Sequence, residues 1–167
     1  KTYWHERILE EINRRRSSLA QNSDGIRPVL VFFENLEELE KFQKYPGFQK
    51  AVRLIDGKED LDRRKALVGK SMASGEITLL SRVLGRGTDF KCHGSINLIG
   101  GVHVLQTFVT KSKAEETQIK GRTARQNQVG SYSMVLCAEQ LETFSITPSP
   151  TGSSDSKKKE GIYDIQT

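Results

Sequence analysis

The chain has 167 residues, of which 28% are charged and 35% hydrophobic, with a formal charge of +5. That length holds one domain with a sizeable core and is cramped for two, and no apolar run approaches the roughly 20 residues of a membrane-spanning helix. A charge of +5 over this length favours anionic partners but lacks the strong basic stripe and aromatic stacking pattern of a dedicated nucleic-acid binder.

Taken in chain order, Ile8, Leu9, Ile12 and Leu19 stand at helical spacing opposite a charged face. They predict an N-terminal helix, and residues 1–24 read as helix and linker. Gly25 and Pro28 break the pattern, and the triplet Arg14, Arg15, Arg16 reads as a solvated helix face. "PVLVFF" is a continuous apolar run rich in β-branched and aromatic residues, as expected of a strand buried on both faces. "ENLEELEKFQKY" follows as a helix with Leu36, Leu39 and Phe42 on one side and Asn35, with Glu38, as its cap.

The same rhythm repeats along the chain. "AVRLI" is a strand, "KEDLDRRKALVGKSMASG" a helix closed near Gly75, and "EITLLS" a third strand running into "RVLGRGTDF". "GGVHVLQTFV" is a fourth strand and "SKAEETQIKGRTAR" a helix with a capping box from Ser112 to Glu115. "SYSMVLC" is a fifth strand, and "AEQLETF" a short last helix. Strands alternating with helices imply βαβ units, hence an α/β fold with a parallel sheet covered by helices on both faces. Residues 25–146 form this domain, while residues 147–167, rich in Pro, Ser, Gly and Lys, read as a flexible tail or linker. The chain opens at Lys1 rather than methionine, so a longer parent protein is expected.

Cys92 and Cys137 form no CxxC pair, which fits a reducing compartment. Cys92 and His93 lack further ligands at zinc spacing, so no metal site is expected from them. Two arginine-bearing motifs carry the functional signal. In "QIKGRTARQ", Gln118, Arg122 and Arg125 stand at i, i+4 and i+7, which puts all three on one face of that helix. Lys120 instead has Glu116 four residues before it as an ion-pair partner. In "GRGTDF", Gly85 and Gly87 leave Arg86 projecting from a constrained turn, followed by Thr88 and Asp89. Arginine grips phosphate oxygens bidentately, and open parallel sheets bind ligands beyond the carboxyl ends of their strands. The two clusters suit a clamp on a polyphosphate at that rim. No GxxxxGK[ST] loop accompanies them, so half of a nucleotide site is present.

These motifs, in this order and on these elements, resemble the second nucleotide-binding domain of the SecA preprotein translocase family. The resemblance covers about residues 27 to 142 and implies a three-layer, RecA-like (P-loop NTPase-type) helicase C-terminal domain. It implies that Arg86, Gly87 and Asp89 belong to motif V, and that Gln118, Arg122 and Arg125 belong to motif VI. Arg125 would then be the arginine finger. Arg122 would assist phosphate binding or couple two domains, Arg86 would reach the nucleotide, and Asp89 would contact ribose or hold an arginine. It further implies ATP, with Mg2+ held mainly by a Walker-motif domain of the same parent chain, a polypeptide substrate, and a cytoplasmic setting. Nucleic acid is not the expected partner. Asn127 and Gln128 depart from the family's usual glycine and aspartate, and "TKSKAEET" replaces its basic stretch before motif VI. The competing readings are a scaffold module that kept the fold and lost the motor, or half of a nucleic-acid helicase.

Overall fold

The computed structural model describes residues 2–16, 25–48, 53–55, 58–85, 90, 94–123 and 128–143. Five strands form one sheet: β1 (Val29–Phe33), β2 (Arg53–Ile55), β3 (Ile77–Ser81), β4 (Val102–Gln106) and β5 (Gly130–Met134). Every pairing is parallel, in the order β2-β3-β1-β4-β5. β1, β3 and β4 are buried along their whole length, and β1 accordingly reads as an unbroken apolar run rather than as an alternating pattern. β5 lies at an edge and is half-exposed over its first three residues.

Successive side chains of β1 leave opposite faces of the sheet. Leu30 and Phe32 join Leu80, Val104, Met72 and Ile119 on one face, the last two brought by α3 (Leu61–Ser71) and α5 (Lys113–Lys120). Val29, Val31 and Phe33 join Leu79, Leu105, Leu39 and Phe42 on the other, under α1 (Thr2–Arg16) and α2 (Leu36–Gln43). The three-layer α/β architecture expected from the alternation is thus present. The Asn35 cap is present too: its Oδ1 accepts the Glu38 amide at 2.9 Å. Asp60 caps α3 in the same way through Arg63.

α1 contributes more than a linker would. Trp4, Ile8 and Ile12 are buried in the second core cluster, and the Trp4 indole Nε1 donates to the Val135 carbonyl at 3.1 Å. The arginine triplet is not merely a solvated face: Arg14 and Arg15 pair with the buried Glu11, and Arg16 Nη2 donates to the Gly75 carbonyl. Burial pushes the Glu11 carboxyl up, but hydrogen bonds from Arg15, Ser133 and Arg14 outweigh it and hold the group below its ordinary range.

Two other elements differ from the sequence reading. The stretch after β3 is a 3-10 turn, Arg82–Gly85, and α4 (Gly94–Leu98) adds a short helix that the sequence did not announce. Its glycine, serine and asparagine are weak helix formers, and it is held by Ile96 and Ile99 packing into the first core. The helix read through Arg125 ends instead at Lys120, where Gly121 is the C-cap and its amide reaches the Thr117 carbonyl. Gly121 therefore terminates α5 rather than straining its interior. Ser112 occupies the N-cap position without a side-chain cap bond: the Glu115 amide donates to the Ser112 carbonyl, and the Glu115 carboxylate, expected to complete the capping box, turns to another residue. The expected tail, residues 147–167, lies outside the described residues.

Candidate functional site

The two arginine motifs meet through their described ends. Arg82–Gly85 leaves the carboxyl end of β3 and runs alongside α5. At its start, Arg82 forks onto Glu115, with Nε to Oε1 at 2.5 Å and Nη2 to Oε2 at 2.7 Å. At its end, Gly85 packs so closely on Ile119 that a Cβ there would lie 3.0 Å from Ile119 Cγ1. The Gly85 carbonyl then accepts from Arg122 twice, from Nε at 3.2 Å and Nη2 at 2.5 Å. Gly85 immediately precedes Arg86, and Arg122 precedes Arg125 by three residues, so the start of one motif is tied to the middle of the other.

The Arg122 end of that junction lies away from the carboxyl rim. Thr123 Oγ1 donates to the carbonyl of Val102, the first residue of β4, at 2.8 Å. Arg122 and Thr123 therefore sit at the amino end of the sheet, and the expectation of a carboxyl-rim site does not hold for Arg122. The reason is the direction of α5, which runs antiparallel to the strands and carries the motif back past them. The shared face of Gln118 and Arg122 is also lost, since the helix stops between them: Gln118 is exposed and Arg122 is 9% exposed. Arg86, Gly87, Asp89 and Arg125 lie outside the described residues, as do Cys92 and His93.

The charges around this junction have identifiable partners. Hydrogen bonding to Glu115 raises the Arg82 pKa above its ordinary value. Lys120 pairs with Glu116 at 2.8 Å, as its spacing implied, and lies 4.8 Å over the Tyr132 ring. Arg122 directs Nε and Nη2 into the protein rather than outward. Among the described residues no glycine-rich loop cradles a phosphate chain.

No protein-family model matches the chain. A protein translocase subunit SecA 2 from Nitrosospira multiformis is 30% identical over 135 residues, covering 79% of this chain and 19% of that protein. A SecA 2 from Geobacillus thermodenitrificans is 26% identical over 132 residues, 79% of this chain and 16% of the relative. A SecA from Syntrophus aciditrophicus is 29% identical over 113 residues, 68% and 13% respectively. The chain is a SecA-like RecA-type domain. Among solved structures, the SecA-like domain shares its fold with Mss116p DEAD-box helicase domain 2 bound to an RNA duplex. The TM-score there is 0.52 at 22% identity, over 81% of this chain and 48% of that one. T4 UvsW gives the same TM-score at 12% identity, over 97% and 29%. The SecA-like domain spans between about an eighth and a fifth of the length of these SecA relatives.

Several residues that shape the SecA-like domain near the junction were not legible in the sequence. His103 is fully buried in β4, with Nδ1 2.8 Å from Ser131 Oγ and Nε2 2.9 Å from Ser133 Oγ. Burial first, then the nearby Arg15 and Arg27 charges, push its pKa down to about 3, so the ring is neutral at neutral pH. Arg27, also buried, donates Nε to the Gly101 carbonyl and Nη2 to Ser131. Gly101 has φ +70, and a Cβ on it would fall 1.7 Å from the Val129 carbonyl oxygen. Only glycine lets the chain re-enter β5 so close to β4, and the preceding residues 124–127 carry Arg125. The paired glycines were the one available signal; Arg82 and Glu115 offered none.

Proposed function

We propose that this domain is the C-terminal motor half of a SecA-like ATPase, completing an ATP site whose Walker motifs lie in a preceding domain of the parent chain. The observation that carries the reading is the Arg122–Gly85 contact, which joins the segment entering "GRGTDF" to the segment leading to Arg125. A scaffold free of nucleotide has no evident need to couple two arginine motifs. On this reading, Arg125 stabilises negative charge developing on the transferred phosphoryl group, and Arg86 contributes a second cation at the nucleotide. Asp89 contacts ribose or orients an arginine, while Gln118 supports the motif from the exposed side of α5. Arg122 acts by holding Gly85 and thereby couples the motifs. Bound ATP supplies the phosphoanhydride, Mg2+ is held mainly by the Walker domain, and hydrolysis drives movement of a polypeptide on the cytoplasmic side of a membrane.

The test is Arg125→Ala in the full-length parent. An arginine finger acts mainly in the transition state, and its loss costs about 10³–10⁵ in rate in other phosphoryl-transfer enzymes. Turnover is therefore expected to fall at least about a hundredfold while ATP affinity changes much less. Lysine should not restore it, lacking the planar fork. Lys120→Ala, which removes a residue paired with Glu116 on the surface, is the control. Equal, small effects at both positions would favour the scaffold reading.

A further inference from the structure

We infer that Arg82 and Glu115 form a positioning pair that keeps the two arginine motifs in register. The inference rests on the nucleotide-site reading above. Glu115 has a side chain only 8% exposed, yet both its oxygens are taken by one guanidinium in fork geometry. Buried ion pairs are weak evidence for stability, since desolvation offsets much of the attraction. What a two-bond fork adds over an apolar pair is direction: it fixes orientation as well as distance.

The position of the fork gives that direction a use. Arg82 is the first residue after β3 and stands four before Arg86. Its guanidinium lies 5.7 Å over the Phe108 ring, in the connection from β4 to α5, and 4.0 Å from Glu34 at the end of β1. One side chain thus ties together the carboxyl ends of three strands and the first turn of α5. At the far end of the same turn, Arg122 holds Gly85. A segment held at one point can pivot; held at two, it moves with its neighbour. Arg86 follows Gly85 directly and Arg125 lies three past Arg122, so displacement of either motif is carried to the other.

The experiment uses Arg82→Glu, Glu115→Arg and the reversed double variant, with Glu115→Gln as a milder change that keeps shape and one hydrogen bond. In the full-length parent, each single reversal is expected to lower kcat for ATP by roughly tenfold or more with KM within about threefold, and the double variant to recover most of the loss. Glu115→Gln should fall between. In the 167-residue chain, amide exchange over residues 82–85 and 119–123 should speed up together by about tenfold in each reversal and slow again in the double. Unchanged kcat and exchange in the single reversals, or a double variant no better than the worse single, would overturn the inference. A parent without ATP turnover would refute the nucleotide-site reading, and the exchange measurements would still decide whether the pair couples the two segments.

Discussion

Replacing Arg122 distinguishes a residue that holds the fold from one that reaches for phosphate. Its guanidinium gives two hydrogen bonds to one buried backbone carbonyl, that of Gly85. Hydrogen bonds involving a charged group contribute about 1.5–3 kcal/mol, and an acceptor left buried without a donor costs about 1–3 kcal/mol. Because both bonds end on the same oxygen, they count as one interaction, and Arg122→Ala should cost about 2–3 kcal/mol. For a chain of this size each kcal/mol moves Tm by about 2–4 °C, so the expected drop is roughly 4–12 °C. Arg122→Lys keeps the charge but loses the fork, and should recover only part of it. Gln118→Ala, at an exposed position on α5, should leave Tm within about 1 °C. Thermal unfolding without nucleotide is the assay. A Tm for Arg122→Ala equal to that of the unsubstituted chain, with ATP binding weakened in the parent, would refute the tether and make Arg122 a phosphate ligand.

Two further predictions concern the frame around the junction. Gly101→Ala should destabilise by at least about 3 kcal/mol, since a left-handed φ costs a side chain about 1–2 kcal/mol and the Val129 oxygen 1.7 Å away must also be displaced. Gly69→Ala, at an exposed site inside α3 with nothing within 4 Å, should instead stabilise by about 0.5–1 kcal/mol; similar effects from the two would refute the steric reasoning. Neutral His103 gives the fold a pH dependence: the unfolded chain takes up its proton below about 6.5, whereas the folded ring resists until about 3. Its contribution is complete above 6.5 and is lost as pH falls from there, at up to about 1.4 kcal/mol per unit. Glu11, whose carboxyl is held low, adds a loss of the same sign only below 4.5. Denaturant titrations at pH 7, 6 and 5 should show this slope, and His103→Gln should flatten it; an unaltered slope would mean that the ring is not kept neutral.

What the amino-acid sequence determined by itself is what neighbours along the chain decide. The apolar run of β1, the Asn35 cap on α2 and the Glu116–Lys120 pair are all set within four residues or by simple periodicity. The motif segments were legible for the same reason: "GRGTDF" and "QIKGRTARQ" are local patterns. Tertiary structure decided the rest, because the deciding partners lie far apart in the chain. Trp4 meets Val135 across 131 residues and makes α1 part of the core. Arg122 finds Gly85 across 37 residues and Glu115 finds Arg82 across 33. These contacts turn Arg122 inward beyond the end of α5 and draw Glu115 away from its cap. Helical spacing sees only residues three and four apart; which helix end meets which strand end depends on the crossovers that set the order β2-β3-β1-β4-β5. That order, with α5 running back along the sheet, carried Arg122 to the amino end of β4.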